Sequence, residues 1–567
     1  MLAVFHNKRI AMPQSMSYPS SKLVITGGGI VAYLEAYIAF LQARSDLQKI
    51  RISIHEKNDR LNETTTAHLV PSLTPNEILS VVDHSSFFQD ISTSFRHPGG
   101  ILANDVEYIL DTKEAKRFIA ALRGVSQNNQ LLQKNTELML RMGELSMTLW
   151  NMLYDTGDDD FKQIMKDSHF HPCSEPNQQH DQSQNGYRID LIQNQPNAEQ
   201  YLMRQQLHAR ARGYQYCRLL SPTEALEKDP FLNDFCELNS HLTETGKRVW
   251  NADAGAIWVP GGCLATLIFL PKLHDYLKNK MGTYTNQAGD TKNCFQVHLN
   301  RKVVGVNYDS DASQAKISGL VFQDAPAHEK QKHVYTQTSY VFCPGEAVGT
   351  LSALGFQEPP AARFSGVSLQ LTIPLLSVIY LEKYAALHQQ YREIGFDGYG
   401  IAWQARCVDE CLIIGVGGTK AFYGTYEPQS HQDFAQKNWV LLLNCINRLW
   451  PSAVELALGK PTRGKELTAG DLSSLVSSSI ARVWVGSRAV SFDACPTLGV
   501  VYEAKGQQRP IVNARCTTHL GSGGVSFAPA AALVSQGFFQ HSANHQLQSD
   551  LLTHCRSNRS ALPVSKL

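Results

Sequence analysis

The sequence predicts an α/β chain of two interleaved lobes, one Rossmann-like and the other an α+β lobe rich in β-sheet. Three observations carry this expectation. A β-branched run, Leu23-Val24-Ile25-Thr26, meets Gly27-Gly28-Gly29 and then the small-residue helix Ile30-Val31-Ala32-Tyr33-Leu34-Glu35-Ala36. A second strand, Ile50 to His55, ends on the acid Glu56. Strands running into glycine turns return at Tyr340 to Gly345 and near the end of the chain, around a β-rich zone from about Ser365 to Val416. At 567 residues the chain is too long for one ordinary core, so at least two compact lobes follow.

The first unit reads as strand, glycine turn and helix N-terminus, the Rossmann-like opening of a dinucleotide site. Gly27 makes the tight bend, Gly29 lets backbone N–H groups approach a pyrophosphate, and Ala32 in the third position still allows close packing of helix on strand. The helix dipole and first-turn amides of Ile30 and Val31 then face the phosphates. Glu56 is placed to accept from a ribose 2′-hydroxyl, with Lys57 beside it, which favours an unphosphorylated ribose. Glycines in a β-α turn often serve only chain geometry, but here strand, helix and distal acid agree. The motif alone does not separate NAD from FAD.

Charge and composition narrow the function further. Lys plus Arg total 52 against 51 for Asp plus Glu, a balance with no footprint for nucleic acid or anionic membrane, so small-molecule chemistry is expected. The 12 cysteines are scattered without a C-x-x-C pair, which supports neither zinc nor a disulfide framework, and no metal is expected. Residues 1–21 lack the apolar stretch of a signal peptide and read as a loose arm. The longest apolar runs, Gly366 to Tyr380 and Pro529 to Phe539, are too short or mixed to span a bilayer, and a cytoplasmic location with free thiols is expected.

Along the chain, residues 22–110 form the first part of the nucleotide lobe, and 111–250 a mainly helical region. Helical periodicity from about Glu114 to Leu153 places Leu138, Leu140, Met142, Leu145, Met147, Leu149 and Trp150 in the core. Ser168 to Gln206 shifts to Gln, Asn, His and Asp and reads as a solvated loop or insertion. Ser221 before Pro222, with Glu224 three residues on, is a capping box. Residues 251–363 return to the nucleotide lobe with part of the second lobe, 364–480 form that second lobe, 481–545 complete the nucleotide lobe, and 546–567 are a tail. Ala256 to Pro260 reads as a strand, an amphipathic run follows through Leu264, Leu267, Leu270 and Leu273, and strands recur from Gln296 to Phe322.

In this order the segments resemble the D-amino-acid oxidase and glycine oxidase superfamily of FAD-dependent oxidoreductases. The residues that carry the resemblance are Gly27 to Val31 with Glu56, Ser221 to Pro230, Asp253-Ala254-Gly255 with Pro260, Phe342 to Glu346, Phe364 to Val367, Trp484 to Arg488, Asp493 to Gly499, and Gly521 to Val525 running into Ala528-Pro529-Ala530. The resemblance implies a Rossmann-like FAD-binding domain interleaved with a β-sheet-rich substrate domain, and hydride transfer from a carbon bearing an amine or hydroxyl to flavin N5. Oxygen, a quinone or a carrier then reoxidises the flavin. Where family members usually carry Ser or Asn with small residues, this chain has Thr64-Thr65-Thr66-Ala67-His68; Thr65, Thr66, Ala67 and His68 are the flavin-contact positions, and His68 is either a flavin contact, an attachment point or a hydrogen-bonded turn residue.

Gly345 belongs to the second glycine turn. Gly521, Ser522, Gly523, Gly524 and Val525 can bring amides against the isoalloxazine edge, and a helix starting near Phe527 or Ala528 aims its positive end at the N1 and O2 region, where charge accumulates on reduction. Arg488 stands at the position that matches a carboxylate clamp, against the alternative of an interlobe salt bridge. His519, beside the flavin loop, is a candidate base for a hydroxyl proton, or a structural loop histidine. Tyr399, Trp403 and Tyr423 are either pocket lining or core. The expected substrate is therefore a small carboxylated amine, amino acid or 2-hydroxy acid. The competing readings are a nicotinamide-dependent dehydrogenase, or an FAD-binding protein that has lost catalysis and acts through partners. A tRNA-modifying relative lacks any methyltransferase segment or basic field here.

Overall fold

The computed structural model describes residues 21–45, 50–61, 72–73, 113–170, 187–193, 197–211, 217–285, 291–309, 314–323, 337–375, 392–397, 401–408, 410–424, 431–493, 495–504, 509–536 and 545–559. Thr65, Thr66, Ala67, His68 and Tyr399 lie outside the described residues.

Two sheets organise the chain. The first contains β1 (Ser21–Thr26), β2 (Ile50–His55), β6 (Phe295–His298), β7 (Gln337–Phe342), β13 (Thr497–Tyr502) and β14 (Pro510–Thr518) in the order β6-β2-β1-β7-β14-β13. All neighbours are parallel except β13 with β14. Leu23, Val24 and Ile25 are all buried, because β1 is central and covered on both faces, which is why it reads as a continuous apolar run rather than an alternating one. Helix α1 (Ile30–Ser45) follows β1, and Ala32 is fully buried, as close packing of helix on strand requires.

The second sheet contains β3 (Tyr187–Ile192), β4 (Arg218–Leu220), β5 (Gly255–Pro260), β8 (Ala361–Pro374), β9 (Arg392–Asp397), β10 (Ile401–Val408), β11 (Cys411–Gly424) and β12 (Ala481–Ser491). Their order is β12-β8-β11-β10-β9-β3-β5-β4, antiparallel throughout except where β9 meets β3. Trp403 and Tyr423 fall in β10 and β11. The chain is thus α/β in its first lobe, with the strand-rich second lobe interleaved as expected.

The helical region divides where Asn128 caps a second helix by accepting from Leu131 N–H, giving α2 (Lys113–Ser126) and α3 (Asn129–Thr156). Leu138, Met142, Leu145, Met147, Leu149 and Trp150 are buried in the nucleotide-lobe core with α4 (Asp159–Asp167) and α5 (Thr266–Met281). The capping box at Ser221 forms in full, with Ser221 and Glu224 bonded reciprocally.

The reading of Ser168 to Gln206 as a solvated loop or insertion does not hold for the parts of it that are described, 187–193 and 197–206. Residues 171–186 are outside the described part, but β3 pairs along its whole length with β5 and buries Ile189 and Leu191, and helix Ala198–Ala211 buries Ala198 and Leu202. A few apolar residues at a spacing of two suffice here, because Ala256, Ile257 and Trp258 of β5 supply the rest of the apolar surface. The chain end is also core as far as it is described: α7 (Ala528–Gln536) is buried along its length, and α8 (His545–His554) leads to Arg559, whose side chain is buried. Among the described residues no helix is long and apolar enough to cross a membrane.

Candidate functional site

An open cleft, about 910 Å³ with the solvent space at its mouth included, lies outside the carboxyl ends of β1, β2, β7 and β14, at the point where strand order reverses about β1, and Ser487 to Ala489 of β12 border it. Open α/β sheets bind ligands at this switch point. It brings together Gly27, Gly28, Gly29, Ile30, Val31, Glu56, Lys57, Gly345, Arg488, His519, Gly521 and Gly524, residues spread over almost the whole sequence.

The glycine loop is built for close approach. Gly27 has φ +99°, and a Cβ there would overlap the Cys343 carbonyl of the neighbouring loop. Gly27 N–H donates to the His55 carbonyl at 2.8 Å and Cys343 N–H to Thr26 at 2.9 Å, tying the ends of three strands together. Helical bonding in α1 begins with Tyr33 N–H donating to the Gly29 carbonyl, and the helix carries no acidic side chain in its own first turn, so its positive end faces the cleft beside the Glu56 carboxylate.

Glu56 is only 4% exposed and serves two backbone donors, Gly28 N–H at Oε2 and Asn58 N–H at Oε1 (2.9 Å). A carboxylate accepts about four hydrogen bonds, so this clamp on the glycine loop leaves capacity for a ribose hydroxyl. At the rim Lys57 and Glu346 form an ion pair at 3.4 Å between the loops after β2 and β7, half-exposed and of small energetic weight. Burial pushes the Cys343 thiol well above its usual range, so it lines the cleft as a neutral group.

On the far wall, Arg488 sits in β12 opposite Phe364 of β8 and borders the cleft with Ser487 and Ala489. Trp484 packs so tightly over Gly486 that no Cβ fits there, which holds this part of the strand in place. The chain then passes from β14 into the loop Gly521–Gly524, with Gly521 at φ +59°, and Val525 O accepts from Trp150 Nε1 at 3.3 Å.

His519 reaches the cleft with both ring nitrogens engaged. Nδ1 meets Thr497 Oγ1 at 2.8 Å, and Nε2 meets Glu358 Oε1 at 3.2 Å. Glu358 also accepts from Gly349 N–H and Ser352 N–H, both at 3.0 Å, so it caps α6 (Thr350–Ala353). Burial works to raise the Glu358 pKa, but the His519 and backbone donors outweigh it and hold the carboxyl below its ordinary value. Sequence reasoning did not find Glu358, which lies in no motif, and gave Thr497 no role although it stands in the segment Asp493 to Gly499; each acts through a contact distant in sequence.

Two further neighbours of the cleft are exceptional. Thr518 Oγ1 is buried and has no hydrogen-bond partner among the described residues, although Thr518 lines the cleft. Thr517 donates to the fully buried Glu35 at 2.7 Å, and burial raises that carboxyl to about 7 against the pull of Thr517 and Gln536.

No family model matches the chain, and no curated protein matches it. Among solved structures the chain is similar to glycine oxidase from Bacillus cereus ATCC 14579 at 12% identity and a TM-score of 0.48, covering 93% of this chain and 97% of that one. It is also similar to NikD, an unusual amino acid oxidase essential for nikkomycin biosynthesis, at 10% identity, TM-score 0.46, and coverage of 93% and 97%. L-amino acid deaminase from Proteus vulgaris follows the chain at 11% identity, TM-score 0.43, and coverage of 93% and 95%. Identities this low leave the functional reading to the cleft itself.

Proposed function

We propose that the cleft binds FAD and that the protein is an FAD-dependent oxidoreductase acting on a small carboxylated amine or amino acid. What supports this most is the convergence on one cleft of four strand ends, the first turn of α1 and a strand of the second sheet, around a glycine loop packed so closely on the Cys343 carbonyl and on Glu56 that Gly27 and Gly28 leave no room for a Cβ. The pyrophosphate would lie over Gly27, Gly29 and the α1 amides of Ile30 and Val31, and the ribose at Glu56 near Lys57. Gly345 and the loop of Gly521, Ser522, Gly523, Gly524 and Val525 would face the rest of the cofactor, with Thr65, Thr66, Ala67 and His68 as further contacts.

When bound, FAD supplies the hydride acceptor at N5. The chain must then orient the substrate and manage its proton. Arg488 would pair a substrate carboxylate with its planar fork from the wall opposite the glycine loop. His519 has both nitrogens committed, which favours a positioning role over transfer of a substrate proton. An amine substrate that arrives deprotonated needs no protein base, whereas a 2-hydroxy acid does, so the amine class is the better fit. The electron acceptor would be oxygen, a quinone or a carrier.

The test is anaerobic addition of amino acids and of 2-hydroxy acids to the purified protein. Bleaching of the flavin band by an amino acid is the expected result. Bleaching by hydroxy acids alone would overturn the amine assignment, and a yellow protein that neither class reduces would overturn catalysis in favour of an FAD-binding protein acting through partners.

A further inference from the structure

Arg559 stands near the end of the described chain, yet its side chain is nearly buried and its guanidinium meets six acceptors, the Arg556 carbonyl at 3.2 Å among them. Nε donates to Asp493 Oδ2 at 2.8 Å and Nη2 to Asp493 Oδ1 at 3.1 Å, a bidentate pair. Nη2 also donates to the Cys495 carbonyl at 2.7 Å, and Nη1 to the Cys555 carbonyl at 2.9 Å and to Thr497 Oγ1 at 3.1 Å. Asp493 is held from its other side by Ser491 Oγ at 2.8 Å and Cys495 N–H at 3.2 Å. An arginine has only donors, so at Thr497 the hydroxyl oxygen accepts from Arg559 and meets the His519 ring with its remaining capacity.

The chain of contacts therefore runs Asp493, Arg559, Thr497, His519, Glu358, from the C-terminal segment to the wall of the cleft. Nε2 of His519 faces a carboxylate that can only accept, so that nitrogen carries the proton, and the ring is fixed at both edges. The backbone gives this its consequence. His519 has φ +58°, a left-handed conformation that is costly for a residue with a Cβ, and it lies two residues before Gly521, where the loop Gly521–Gly524 begins. Such a conformation persists only where its surroundings over-determine it.

We propose that Arg559, acting through the Thr497 hydroxyl on His519, is a positioning residue that sets the left-handed turn from which the cofactor-facing loop Gly521–Gly524 departs. The inference rests on the FAD reading of the cleft. It assigns to the C-terminal segment a part in the site that no cleft-lining residue discloses: Arg559 orients the loop without touching the ligand.

Thr497→Val tests this directly, because it removes the hydroxyl at nearly constant shape and leaves the Arg559–Asp493 pair in place. Losing one buried hydrogen bond and orphaning a ring nitrogen should weaken FAD binding to the apoprotein about tenfold. The visible circular dichroism of the bound flavin should change, and Thr497→Ser should restore both. Arg559→Lys, which keeps a cation beside Asp493 but loses the planar fork that reaches Thr497, should act in the same direction and serves in place of Thr497→Val should that variant not fold. Unchanged FAD affinity and dichroism in the folded variants would overturn the proposal. Wild-type protein that takes up no FAD would instead overturn the reading of the cleft, a distinct outcome.

Discussion

Glu35 makes the stability of the nucleotide lobe depend on pH in a calculable way. It is fully buried on α1; Thr517 Oγ1 donates to Oε1 and Gln536 Nε2 to Oε2, each at 2.7 Å, while Arg515 lies near enough to pull the carboxyl down. Burial outweighs these and the nearby Ser535 hydroxyl, and raises the pKa from 4.5 to about 7. The folded value lies above the unfolded one, so the native state holds the proton more tightly between those limits. Stability from this group is full below about 4.5 and falls as pH rises, until above 7 the charged carboxylate costs about 3 kcal/mol. Glu35→Gln removes that dependence. Equilibrium urea unfolding at pH 5 and pH 8 should show the variant gaining about 2.5 kcal/mol on the wild type between the two conditions, part of the effect being already present at pH 5. An offset between the two proteins that is the same at both pH values would refute the reasoning.

Other residues carry sharper, single-site outcomes. Gly27→Ala forces a Cβ into the Cys343 carbonyl at φ +99°, and Gly29→Val obstructs the approach to the α1 amides; both variants should be purified depleted in flavin, as absorbance ratios would show. Arg559→Ala leaves Asp493 charged and buried without its partner, and should lower thermal stability by roughly 3–5 kcal/mol in a melting experiment at neutral pH. Arg488→Ala should raise KM for carboxylated substrates while FAD stays bound; unchanged kinetics would remove it from the clamp.

The parts of the site legible in the sequence are those whose physical demand is local. Gly27 and Gly29 sit between a strand and a helix, Glu56 ends the next strand, and Gly521–Gly524 precede a small-residue helix, so each announces itself within a few positions. Glu358, Arg559 and Glu35 were silent, and Thr497 showed no role within its segment, because each works across the fold: Glu358 meets His519 161 positions away, Arg559 meets Thr497 at 62, and Glu35 meets Thr517 at 482. His519 shows the boundary between the two. Its residue type and place beside the loop were readable, but only the fold shows both nitrogens engaged. The strand Tyr187–Ile192 was hidden for a different reason, because its polar neighbours dominate the local composition while its apolar partners come from β5.

The central claim is that the cleft at the ends of β1, β2, β7 and β14 holds FAD. The most direct measurement is the absorption spectrum of the purified protein, followed by denaturation and mass identification of whatever is released. A flavin spectrum with FAD recovered, or regained when FAD is added to colourless protein, is the predicted result. Protein that is colourless and takes up no added FAD would contradict the account.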